Sequence, residues 1–100
     1  MKVDIKDFDR AMRRKNFKIL KIKKKNPHLF FYFEYPEGNL HISINTWRSV
    51  HPRITHLDDN RIKDMASELH FKRKREFEDY IDCRFTIEMY VDLLKEEKLI

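Results

Sequence analysis

The chain reads as an α+β fold, a three-stranded antiparallel sheet packed on helices with two additional helices toward the C-terminus. Three observations carry that expectation. Apolar residues recur at helical spacing near the start of the chain and again after Leu57. Between those parts lie Phe17 and Ile19 among lysines, the aromatic run Leu29 to Tyr35, and "NLHISINTW", which have the composition or the alternation of strands. Asn26-Pro27 and "YPEGN" separate the three, because neither can continue a strand.

Each element has a local cause. In "DIKDFDRAMRRKNF", Ile5, Phe8 and Met12 fall on one helical face, acids occupy the first turn, and Asn16 is placed as a left-handed stop. Arg10, Arg13 and Arg14 fall on the opposite side of that helix. Gly38 sits where the turn between the second and third strands needs a positive backbone angle. In the third strand the period of two sends Leu40, Ile42 and Ile44 one way and His41, Ser43, Asn45 and Trp47 the other, which predicts one core face and one polar face. An irregular stretch containing Pro52 follows. Asp58 then reads as the N-cap of a second helix carrying Ile62, Met65, Ala66 and Leu69, with Leu57 stapled to Ile62. A third helix around Arg73 to Asp82 buries Phe77, Tyr80 and Ile81, and Thr86 caps a last one through Ile87, Tyr90, Val91 and Leu94.

The 100 residues suit one domain, with a core over about 5–70 and a helical extension over about 71–100. With 41% hydrophobic residues and eight Phe spread along the chain, it has enough apolar surface to fold. No apolar run approaches the roughly 18 residues of a spanning helix, and the charged start leads into no signal-peptide core, so the expectation is a cytoplasmic protein with no membrane partner. Cys83 is the single cysteine, which excludes a disulfide framework and a cysteine zinc cluster; a small buried residue between two helices is the expected role. His41, His51 and His56 match no recurrent zinc spacing, so no metal and no other cofactor is expected.

Charge is distributed unevenly. Residues 1–30 hold eleven Lys or Arg against three Asp, a balance of +8, whereas residues 31–60 and 61–100 stand at −2 and −1. A basic excess confined to one third of the chain is the pattern of a surface that meets phosphates, although a solubilising face would look the same. Arg10, Arg13, Arg14, Lys18, Lys21, Lys23, Lys24 and Lys25 are the candidate nucleic-acid-binding residues.

The order helix, strand, strand, strand, helix is that of the double-stranded-RNA-binding fold. Within it, "DFDRAMRRKNFKILKIKKKNPHLFFYF" resembles the opening of HicA toxins, small ribonucleases in which a short helix leads into a basic strand and then a histidine-bearing turn. The resemblance spans roughly residues 5–70 and places His28 at the family's catalytic histidine. It also places His56, in "RITHLDD", at a histidine that the family often carries between its third strand and second helix. What it implies is a metal-independent endoribonuclease acting on messenger RNA, encoded beside an antitoxin protein that covers the site.

The residues themselves permit that chemistry. Cleavage of RNA without a metal needs a base for the 2′-hydroxyl proton, cations for the crowded phosphate, and an acid for the leaving oxygen. Histidine is the side chain whose ordinary titration lies closest to neutral pH, and His28 follows Lys23, Lys24 and Lys25 directly. The bland reading makes His28 a turn residue and His56 a partial helix cap. Phe30 and Tyr32 are core residues or, if their face is open, stacking platforms for unpaired bases. Trp47 either covers the extra helices or stacks in the same way. Two other functions share these features, namely a nucleic-acid-binding module without catalysis and a basic inhibitor or partner protein of mobile-element origin.

Overall fold

A computed structural model describes residues 3–22, 28–50, 53, 55–82 and 84–100; for Lys21 and Ile22 it describes the backbone alone. The expectations for Lys23 to Lys25, Asn26-Pro27, His51, Pro52 and Cys83 fall outside the described residues.

Asp4 ends a two-residue strand, β1 (Val3–Asp4), and caps helix α1 (Ile5–Arg14), its Oδ1 accepting from the Lys6 and Asp7 amides at 2.8 and 3.3 Å. Asp7 in the first turn and Arg13 and Arg14 in the last complement the helix dipole. Phe8 and Met12 are buried, as their spacing predicts, with Ala11 beside them and Ile5 only partly buried, and Asn16 ends the helix at φ 65°. The helix therefore turns back directly into β2 (Phe17–Ile22).

Strands β2, β3 (His28–Glu34) and β4 (Leu40–Ser49) form an antiparallel sheet in that order. Gly38 supplies φ 88° in the turn between β3 and β4, and His41 Nε2 donates to the Tyr35 carbonyl at 2.6 Å to close it. Pairing then slips. Phe33 lies opposite His41 but Tyr32 lies opposite Asn45, so residues 42–44 have no counterpart on β3. Ile44 returns to the core, whereas Ile42 is 74% exposed, which corrects the expectation that Leu40, Ile42 and Ile44 share one face. The physical cause is the bulge, which breaks the period of two locally and is held by Asn45 Nδ2 donating to the Ile42 carbonyl at 2.7 Å.

A strand that the sequence did not announce, β5 (His56–Leu57), pairs antiparallel with β1, Val3 opposite Leu57 and Asp4 opposite His56. That short ladder ties the start of α1 to the start of α2 (Asp59–Glu68), whose N-cap Asp58 accepts from the Arg61 amide at 2.8 Å. Helices α3 (Lys74–Ile81) and α4 (Ile87–Glu96) complete the chain, the latter capped by Thr86 as expected.

One apolar core joins the four helices to one face of the sheet. Phe17, Phe31, Phe33 and Ile44 meet Phe8 and Met12 of α1, Ile62 and Met65 of α2, Phe77 and Tyr80 of α3, and Tyr90 and Leu94 of α4. Aromatic rings dominate it: Phe8 meets Phe31 edge-on at 5.2 Å, Phe33 meets Tyr90 edge-on at 5.0 Å, and Tyr90 stacks on Phe71 at 4.7 Å. Its polar atoms are paired inward, the Tyr80 hydroxyl donating to the Lys15 carbonyl and the Tyr90 hydroxyl to that of Leu69, both at 2.8 Å. Burial pushes both phenols well above the ordinary tyrosine range, so they serve as hydrogen-bond donors rather than acids. Lys15 is itself buried, donating to the Phe85 carbonyl at 3.0 Å and lying over the Tyr80 ring. Arg48 of β4 reaches Asp9 of α1 in a two-pronged ion pair at 3.0 and 2.6 Å, locking the sheet to the first helix.

The bulge makes a direct prediction. Phe33→Ala should destabilise the protein by about 3–5 kcal/mol, the usual cost of emptying a buried aromatic site. Ile42→Ala, on the same sheet, should stay within roughly 0.5 kcal/mol of the parent in chemical denaturation. Comparable losses from both would mean that Ile42 is in the core and that the register is wrong.

Candidate functional site

Alternation along "HLFFYFE" produces the site. Phe31 and Phe33 point into the core and are fully buried, so His28, Phe30 and Tyr32 must stand on the other face of β3, where each is only half-buried. Register brings neighbours to them from both sides: Leu20 opposite Phe30 and Lys18 opposite Tyr32 on β2, and Trp47 opposite Phe30 and Ser49 opposite His28 on β4. None of Leu20, Phe30, Tyr32 and Trp47 belongs to the helix-covered core or packs against it. Phe30 lies 6.2 Å from His28 and 6.2 Å from Tyr32, centroid to centroid, a row of three rings along the strand. Lys18 and Leu20 are exposed beside that row.

Trp47 forms its corner. The His28 ring lies 4.5 Å from the indole, and the Arg61 guanidinium lies over it at 4.3 Å. Arg61 is held there by donating to the Trp47 carbonyl and to both carboxylate oxygens of Glu68, while Thr46, on the buried side of β4, donates to the same Glu68. Among the described residues two side-chain nitrogens are buried without a hydrogen-bond partner, His28 Nδ1 and Arg61 Nε. Both belong to side chains packed on this one tryptophan.

Beyond Trp47 opens a cleft of about 260 Å³, lined by Trp47, Arg48 and Ser49 of β4, His56 and Leu57 of β5, and Asp58 and Arg61 at the start of α2. His56 is exposed there and shares a 2.9 Å hydrogen bond between its Nδ1 and Thr55 Oγ1. Of the two histidines singled out by sequence, His28 packs directly on Trp47, and His56 lines the cleft of which Trp47 is one wall.

The basic residues divide. Lys18 stands on the open face, whereas Arg10, Arg13 and Arg14 are exposed on α1, a helix packed against the covered face of the sheet. Arg10 faces Asp7 at 3.7 Å on the helix surface. Lys21 is placed by its backbone in β2 opposite Leu29, and Lys23, Lys24 and Lys25 lie outside the described residues. Among the described residues no group of three or more His, Cys, Asp or Glu could hold a metal ion, and no helix is long and apolar enough to cross a membrane.

Sequence reasoning placed Trp47 on the correct face but missed Arg61, which no local pattern marks because its contact is made across the gap between helix and strand. Chemically, the arrangement presents partly buried aromatic rings, the exposed ammonium of Lys18 and a cleft lined by both apolar and polar side chains. It can stack on planar groups and hold hydrogen-bonding edges. Comparison with known proteins gave no matching family model, no matching curated protein and no matching solved structure.

Trp47 is the single tryptophan, so its emission reports on this corner alone. Arg61→Ala should shift that emission to longer wavelength, as one face of the indole loses its cover. It should also cost about 1–3 kcal/mol in stability by taking the Arg61 donor from the Trp47 carbonyl and leaving Glu68 with Thr46. An unchanged spectrum would show that Arg61 does not cover the ring.

Proposed function

We propose that this chain binds single-stranded RNA on the open face of its sheet and cleaves it, without a metal, using His28. The observation that carries the reading is the place of His28, on the uncovered face at the end of the row His28, Phe30, Tyr32 rather than in the core or a remote turn. The order α1, β2, β3, β4, α2 is consistent with the double-stranded-RNA-binding fold of HicA toxins, with α3 and α4 added to it. That resemblance is what brings catalysis and a covering antitoxin into the proposal.

Aromatic rings on a sheet favour unpaired bases, whose faces are free, and Lys18 with the basic first third of the chain favours the phosphates between them. In the reaction, His28 accepts the proton of a 2′-hydroxyl, the freed oxygen attacks the adjacent phosphorus, and the P–O5′ bond breaks. The products are a 2′,3′-cyclic phosphate and a 5′-hydroxyl. His56 is the candidate that returns a proton to the leaving oxygen. Trp47 and Phe30 orient the His28 ring by packing.

One observation favours a second reading. The arginines of α1 stand on a helix packed against the covered face, so the described cation beside the row is Lys18. A binding module that has no reaction would need no more than this.

Incubation of the purified protein with a long single-stranded RNA in EDTA, beside His28→Ala, separates the two. The expected result is cleavage by the parent and a loss of roughly 100-fold or more in the variant, the usual contribution of a general base, with RNA affinity retained. Binding by both proteins with cleavage by neither would establish the binding module, and equal cleavage by both would remove His28 from the chemistry.

A further inference from the structure

We infer that the cleft beside Trp47 is a pocket for one nucleobase of the bound strand, and that Asp58 makes it select a base with an exocyclic amino group. The inference rests on the RNA-binding reading and deepens it.

Position comes first. Trp47 belongs to both surfaces, its ring touching His28 of the aromatic row and its side chain forming the cleft wall, so a strand stacked along β3 reaches the cleft without a break. Size comes second: about 260 Å³ falls just below the roughly 300–1,000 Å³ of pockets that enclose drug-sized ligands, which suits a single planar ring system.

Charge decides what part of the nucleotide enters. The two cations in the wall are already matched, Arg48 by Asp9 and Arg61 by Glu68, and the exposed Asp58 carboxylate adds a negative charge. A phosphate would meet the Asp58 charge with no unmatched Lys or Arg among the described lining residues. An uncharged base, by contrast, finds apolar surface of Trp47 and Leu57 in the wall and Asp58, His56 and Ser49 for its edge.

Asp58 then sets which base. One of its oxygens, Oδ1, caps α2 by accepting from the Arg61 amide, and among the described residues the other has no hydrogen-bond partner. An ionised carboxylate only accepts hydrogen bonds. It therefore pairs with an amino group such as cytosine N4, and it meets only another acceptor at uracil O4.

The test uses the full chain, following Trp47 fluorescence while titrating octacytidylate and octauridylate into the parent, Asp58→Asn and Lys18→Ala. Asparagine caps helices as well as aspartate, so Asp58→Asn should leave α2 intact, which circular dichroism checks. The parent should bind octacytidylate about tenfold or more tightly than octauridylate, the scale of one good base-edge contact. Asp58→Asn should bring the ratio to one or invert it, because the amide offers uracil a donor. Lys18→Ala should weaken both equally. Equal affinity of the parent for the two strands, or a ratio unchanged in Asp58→Asn, overturns the pocket while leaving RNA binding in place. Absence of binding to both strands and to long RNA overturns the RNA-binding reading and the pocket with it.

Discussion

The central strand β3 carries aromatic side chains on both faces while helices cover only one, and the rest of the molecule follows from that asymmetry. Phe31 and Phe33 draw α1 and α4 onto their side by ring contacts with Phe8 and Tyr90, and α3 joins them through Phe77 on Phe8 and Tyr80 on Tyr90. Burial of such rings removes about 150–250 Å² of surface each from water, enough to make this face the core. The other row, His28, Phe30 and Tyr32, keeps part of its surface in water. These partly buried rings share one sheet face with Leu20 and Trp47 on the flanking strands.

Arg61 connects that face to the helical layer. Its guanidinium bridges the Trp47 carbonyl and Glu68 and lies over the indole, so the position of Trp47 is set by α2 as much as by β4. Because Asp58 and β5 fix where α2 begins, the two-residue ladder between β1 and β5 also places His56 and the cleft. The unpartnered His28 Nδ1 and Arg61 Nε belong to the two side chains packed on this indole, and a buried donor or acceptor without a partner costs about 1–3 kcal/mol. That cost is concentrated at the corner between the open face and the cleft.

The C-terminal third shares the core of the remainder. Phe71, Tyr80 and Tyr90 fill the space between the sheet and α3 and α4, and Tyr80 and Phe85 enclose Lys15 at the turn from α1 into β2. Since that turn leads directly into the strand bearing Lys18 and Leu20, the last helices stabilise the open face from behind without touching it.

The α+β class, the three antiparallel strands, both predicted helix caps and the assignment of Phe30 and Tyr32 to the face opposite Phe31 and Phe33 were all legible in the sequence. Each depends on periodicity or on a cap within a few residues, which are local properties of the chain. Only the tertiary structure decided that Ile42 leaves the core, that β1 and β5 pair, that Arg61 covers Trp47, that His28 packs on the same indole, and that His56 lines the cleft beside it. These are consequences of register and of contacts between residues far apart in the chain, where a three-residue bulge or a single cross-element pair overrides what local pattern specifies.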